Sequence, residues 1–170
     1  AREKTEAIQE IFKTYFNKEV IELGDFRKNQ VIRDLILLLM ERVGGKVEIQ
    51  KLATELGVSR LTVQDYLAFL EGTYLFALIR PFSRNRDVEI RSTPKVYCID
   101  SGLAAQIGSA PRGNVFENAV FHQLRLAGKA VNYYQKKSGV EIDFIVDKRQ
   151  GYEVKLRGDK SDLTRLKRLQ

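Results

Sequence analysis

Apolar residues recur at helical spacing near the start of the chain, where Ile8, Ile11, Phe12, Tyr15 and Phe16 fall on one side. The pattern predicts an amphipathic connector helix within residues 1–28 that must pack against something. From Asn29 to Val43, the positions Val31, Ile32, Leu35, Ile36, Leu39 and Val43 mark a second helix, and Gly44-Gly45 supplies its stop. Two shorter faces follow in "VEIQKLATELGVSRLTVQDYLAFLEGTYL": Ile49, Leu52, Ala53 and Leu56, then Val63, Tyr66, Leu67 and Leu70. Gly57 separates them and can take the positive φ of a turn, Ser59 can cap the next helix, and small Ala53 permits close approach of the pair.

The period then changes to two. "YLFALIRPF" and "VEIRSTPKVYCID" read as strands joined by the basic segment "SRNRD". The Gly-, Ser- and Pro-containing stretch at 107–113 predicts a loop before a final unit over 114–170. That unit opens with the helical pattern "NVFENAVFHQLRLA", continues with "VNYYQ", "VEIDFIV" and "YEVKL" as strands, and has "DKRQG" as a turn between the last two.

Charge narrows the partners. With 29 Lys and Arg against 22 Asp and Glu, the net charge of +7 suggests a polyanion, of which nucleic acid is the commonest. The one cysteine, Cys98, has no intrachain partner, which excludes a disulfide framework and points to a reducing compartment, the cytoplasm by default. The longest apolar run, Leu35 to Met40, falls well short of the roughly 20 residues that a spanning helix needs, so no membrane role is expected. The sequence opens without methionine and stops within "DLTRLKRLQ", so a longer polypeptide is expected around it.

Charged residues also sit where a core should be. At about 100° per residue, Glu117 lies amid Val120, Phe121, Leu124 and Ala127, so its carboxylate is at the solvent edge, ion-paired or part of a metal site. Strict alternation puts Ile142, Phe144 and Val146 on one face of their strand and Glu141, Asp143 and Ile145 on the other. If Val146 pairs with Tyr152 across a five-residue turn, Asp143 lies opposite Lys155 and diagonal to Glu153, roughly 7 Å away. Asp143 and Glu153 would then offer hard oxygens to Mg²⁺, with the Val154 carbonyl and Glu117 in support and Lys155 keeping the acids ionised. His122 lies about 140° around the helix from Glu117, which removes it as a partner base. Tyr133 and Tyr134 read as strand tyrosines of the core rather than base-stacking residues.

The two helices meeting at Gly57 resemble the helix-turn-helix of winged-helix domains. That resemblance puts Arg60, Thr62 and Gln64 near the DNA major groove and Arg84 and Arg86 of the wing near phosphates, although many winged helices only dock proteins. "FENAVFHQL", "GVEIDF" and "GYEVK" resemble the restriction-endonuclease-like PD-(D/E)XK nucleases: a helix acid, an Asp, then Glu-x-Lys. With "PKVYCIDSGL" and "YYQKKSGVEIDF", the order is similar to a domain of unknown function that follows the ATPase module of many archaeal and bacterial AAA-type ATPases.

The resemblance implies an α+β chain, with a winged helix over 29–106 followed by a nuclease-like α/β domain that lacks its last strand and helix. Asp143, Glu153 and Lys155 would be catalytic, and Glu117, Asp143 and Glu153 would be metal ligands for Mg²⁺-dependent phosphodiester hydrolysis. ATP would be bound only by an upstream domain of the same polypeptide, since no G-x-x-x-x-G-K-[ST] occurs in the sequence. The alternative is a non-catalytic DNA- or protein-binding regulatory module of the ATPase, with the charged cluster serving as an ion-pair network.

Overall fold

Helical periodicity dominates the first seventy residues, and the described residues form five helical segments before any strand. The computed structural model describes residues 2–22, 29–136 and 139–158. Helix α1 (Arg2–Tyr15) passes into a π-helical segment (Phe16–Glu22), followed by α2 (Asn29–Glu41), α3 (Ile49–Leu56) and α4 (Arg60–Gly72). Next come β1 (Phe76–Ile79), α5 (Arg86–Arg91), β2 (Lys95–Cys98), α6 (Ser101–Gln106) and α7 (Arg112–Leu126). Strands β3 (Val131–Gln135), β4 (Glu141–Val146) and β5 (Gln150–Tyr152) close the order. The result is an α+β fold with two small antiparallel sheets, β1–β2 and β3–β4–β5.

Local chemistry explains the helix ends. Gly57 closes α3 with φ +64°, a left-handed conformation that an L side chain rarely adopts, and its N–H reaches the carbonyls of Ala53 and Thr54. Two residues later the Ser59 hydroxyl accepts the Thr62 N–H at 3.1 Å and starts α4. Val63, fully buried, sits with Leu52, Ala53, Tyr66, Leu67 and Leu70 in the core that also takes Ile32, Leu35, Ile36 and Leu39 of α2. The first segment joins this core through Phe12 and Val20.

Strands β1 and β2 are the wall between two cores. Their ladder pairs Phe76 with Cys98, Ala77 with Tyr97, Leu78 with Val96 and Ile79 with Lys95. Because side chains alternate, Phe76, Val96 and Cys98 enter the helical core, while Ile79 and Tyr97 enter a second core with Phe121 of α7, Tyr133 of β3, and Phe144 and Val146 of β4. Lys95 shares the face of Tyr97. The chain beyond β1 then runs beside β3: the Tyr133 N–H donates to the Arg80 carbonyl and the Phe82 N–H donates to the Tyr133 carbonyl.

Three expectations change. The segment after "SRNRD" is not one long strand: Asn85 accepts the N–H groups of Asp87 and Val88 and starts the short helix α5, so only Lys95–Cys98 remains extended. Helix α7 begins at Arg112 rather than 114. The last hairpin is tighter than a five-residue turn, pairing Val146 with Gln150 and Phe144 with Tyr152, because Asp147 and Lys148 both take positive φ and the Arg149 N–H returns to the Val146 carbonyl. The reading of "DLTRLKRLQ" as a helix lies outside the described residues.

Helix α7 is fastened to β2 by a side-chain amide. Fully buried Asn118 accepts the Cys98 N–H at 2.8 Å and donates to the Cys98 carbonyl at 2.9 Å, taking the place of a neighbouring strand. Burial pushes the Cys98 thiol up to about 12, so it stays protonated at neutral pH. Asn118→Ala strips both backbone groups of their partner, and the expected loss is about 2–4 kcal/mol in urea unfolding, whereas Asn114→Ala on the same helix should lose less, because it forfeits one half-buried bond to the Val43 carbonyl.

Candidate functional site

Strand β4 turns Asp143 into the core beside Phe144 at a bulge. Between β3 and β4 the register changes: Asn132 faces Ile145, but Tyr134 faces Ile142, so Tyr133 alone opposes both Asp143 and Phe144. Strict alternation would have sent Asp143 and Phe144 to opposite faces. With the extra residue, Asp143 turns toward Lys95 while Phe144 packs against Tyr97, whose ring centroid lies 5.5 Å from its own.

Lys95 is the centre of the resulting cluster. Its side chain is 4% exposed, and its Nζ lies 2.6 Å from Glu141 Oε1, 3.4 Å from Glu117 Oε1 and 3.8 Å from Asp143 Oδ1. The Tyr97 hydroxyl donates to the same Glu117 oxygen at 2.6 Å. Lys46, from the connection between α2 and α3, reaches the other Glu141 oxygen at 2.9 Å. Both ammonium groups lie over the Tyr133 ring, at 5.8 and 5.6 Å from its centroid. Gly44, at φ +75°, lets the connection approach closely: a Cβ there would stand 3.3 Å from the Glu117 carboxylate.

The electrostatics follow from burial against pairing. Burial alone would lower the Lys95 ammonium, but Glu117, Glu141 and Asp143 outweigh it and hold it above the ordinary lysine value. Burial raises Glu117 above the ordinary carboxyl range even though Lys95 and Tyr97 oppose the shift. Glu141 moves the other way: burial pushes it up, yet its bonds to Lys95 and Lys46 leave it below the usual value. Tyr97 is raised by burial and then by Glu117, so it acts as a neutral donor.

The residues singled out in the sequence divide between this cluster and its surroundings. Glu117 and Asp143 are brought together, but by Lys95 rather than Lys155. Asp143 Oδ2 accepts the Val154 N–H at 2.8 Å, so Val154 offers its amide where a carbonyl was expected. Strand β5 ends at Tyr152, and Glu153 pairs with Lys155 at 2.7 Å. Lys155 is thus not opposite Asp143. Among the described residues, no group of three or more His, Cys, Asp or Glu side chains is arranged to hold a metal ion. In this arrangement Asp143 accepts the Val154 N–H, Glu117 accepts the Tyr97 O–H, and both face the Lys95 ammonium. Lys46, Lys95 and Glu141 were missed by sequence reasoning, although Lys95 stands inside the quoted "PKVYCID".

Arg60 and Gln64 of α4 are exposed, as are Arg84 and Arg86 around the start of α5. Thr62 is partly covered, its hydroxyl 2.9 Å from that of Ser59, so it belongs to the helix cap. Leu61 is 65% exposed beside Arg60. No helix among the described residues is long and apolar enough to cross a membrane.

Residues 1–112 match the family described as Domain of unknown function (DUF8612), and the chain belongs to that family. Residues 112–170 match a second description, Domain of unknown function (DUF4143). The chain is 28% identical over 152 residues to an uncharacterized protein of Methanocaldococcus jannaschii, covering 84% of this chain and 34% of that protein. It is 27% identical over 146 residues to an uncharacterized protein of Haemophilus influenzae, covering 81% of this chain and 36% of the relative. The chain therefore spans about a third of the length of these curated relatives. No solved structure matches it.

Replacing Lys95 tests the cluster. Lys95→Met leaves three carboxylates facing one another without the central charge, and the expected loss at pH 7 is about 3–5 kcal/mol. In the variant Glu117, already raised by burial, loses the opposing Lys95 charge and rises further, so folding takes up a proton and stability should increase as pH falls from 7 toward 5. In the parent, Glu141 sits below its ordinary value and contributes stability that is lost as pH falls through its folded value. That loss falls below this interval, so between pH 7 and 5 raised Glu117 alone acts in the parent and gives a smaller rise in stability than in the variant. Thermal melting of both forms across that pH range reads the difference, and parallel profiles would refute the central role of Lys95.

Proposed function

We propose that the chain is a non-catalytic DNA-binding module of an AAA-type ATPase, in which α3 and α4 act as a helix-turn-helix and the PD-(D/E)XK-like segment serves as a structural partner. The observation that carries the non-catalytic part is the Lys95 ammonium among Glu117, Glu141 and Asp143. A hydrolytic site of this type needs carboxylate oxygens free to share a divalent ion and a water. Here Lys95 neutralises those oxygens, and Asp143 is further held by the Val154 amide. The Glu117, Asp143, Glu153 and Lys155 order of the resemblance would then persist as an ion-pair network with its cation supplied from β2.

The DNA part rests on the α4 N-terminus and the basic segment beyond β1. Gly57 and Ser59 fix the angle and start of α4, so Arg60 and Gln64 project from its first two turns, with Arg84 and Arg86 on a separate exposed loop and helix. Guanidinium groups suit phosphate oxygens and guanine edges, and a glutamine amide suits adenine. The net charge of +7 favours approach to a polyanion. The ATPase would lie in the part of the polypeptide that the longer relatives have and this chain does not include.

The reading is tested by measuring duplex DNA binding against salt for the parent and for the Arg60→Ala/Arg84→Ala/Arg86→Ala variant. Affinity should fall, and the log–log salt slope should decrease by about 1 for each phosphate contact removed. An unchanged slope would assign the surface to protein docking instead. In parallel, Mg²⁺ and Mn²⁺ should leave the melting temperature and a plasmid substrate unaltered; metal-dependent nicking abolished by Asp143→Asn would restore the nuclease reading.

A further inference from the structure

The two lysines of the cluster come from different places and differ in accessibility. Lys95 is buried on β2, whereas Lys46 lies on the connection leading into α3, its side chain 29% exposed. The backbones of that connection and β2 are also joined: the Gly44 N–H donates to the Val96 carbonyl, the Val47 N–H to the Pro94 carbonyl and the Val96 N–H to the Gly45 carbonyl. Glu141 is the point where the two cations meet, one on each carboxylate oxygen. It opens β4, next to the loop after β3, and its own side chain is 30% exposed.

We propose that Lys46 and Lys95 form a two-part ionic latch, closing on Glu141, that couples the α2–α3 connection and β2 to the three-stranded sheet. Lys95 is the fixed half, held also by Glu117 and Asp143. Lys46 is the half that can open: its side chain is 29% exposed and can leave Glu141 while the 44–47 backbone stays hydrogen-bonded to β2. Release of Lys46 leaves Glu141 with Lys95 alone and loosens the start of β4, without taking a residue out of either apolar core. The latch does not depend on what α4 binds, so its test stands apart from that of DNA binding.

Hydrogen exchange of the parent, Lys46→Gln, Glu141→Gln and the double variant decides the matter. Lys46→Gln should speed exchange of the β4 amides and of Gly44 and Val47 by about 1.5- to 5-fold, the range set by a partly exposed ion pair, while α2 amides in the helical core keep their protection. The double variant should exchange no faster at those amides than Glu141→Gln, because the pair is already broken. About 1 M salt should move the parent toward Lys46→Gln and leave the variant unmoved. A uniform increase across all elements, no increase at β4, or an additive double variant would each overturn the latch.

Discussion

A buried ammonium with three carboxylate neighbours organises this molecule. Taken out of water, the Lys95 charge is tolerable only because Glu117, Glu141 and Asp143 surround it, and those acids are tolerable only because it is there. The constraint is mutual and positional. It requires α7 to present Glu117 toward β2 and β4 to turn Asp143 inward. It also requires the α2–α3 connection to come close enough for Lys46 to share Glu141.

Each requirement is met by a specific local device. The Asn118 amide holds α7 against β2 through both backbone groups of Cys98, which fixes the height of Glu117 one residue earlier. The bulge opposite Tyr133 brings Asp143 and Phe144 to one side, so a charged contact and an aromatic contact are made by adjacent residues. Gly44 lets the backbone come up to the Glu117 carboxylate where a side chain would crowd it. The apolar surroundings strengthen the cluster in turn, since Tyr97 stacks on Phe121 at 4.3 Å and covers the same Glu117 oxygen that it donates to.

Periodicity made the helical part legible. The faces carrying Leu52 and Ala53, then Val63, Tyr66, Leu67 and Leu70, together with Gly57 and Ser59 between them, identify α3, α4 and their turn from local rules alone. The site was less legible because its geometry depends on tertiary contacts. Alternation correctly isolates Glu141 and Asp143 as acids in an apolar strand, but nothing in "VEIDFIV" announces a bulge. The lysine of the Glu-x-Lys run, Lys155, therefore reads as their partner, a role that falls to Lys95, sixty residues earlier on another sheet. Lys95 itself reads as a polar interruption at the start of "KVYC", and its burial follows only once β2 is known to divide two cores. The helix α5 was hidden for another reason: "VEIR" has strand-forming residues, and the Asn85 cap with the Arg80 guanidinium on the Ile90 and Ser92 carbonyls overrides that propensity.

The cluster also bears on how the two matched segments relate. Lys46 and Lys95 lie within residues 1–112, whereas Glu117, Glu141 and Asp143 lie within 112–170. Separated, the first segment would expose an apolar face of β2 with a lysine whose three partners are gone, and the second would gather three acids without their central cation. Tyr97 and Ile79 from the first segment complete the aromatic core of the second in the same way. Charge and apolar surface thus close across one boundary, at the shared wall of β1 and β2. The segments match two family descriptions, but they share an aromatic core and a charged cluster, and a chemistry assigned to the second segment alone has to account for the lysine that the first places at its centre.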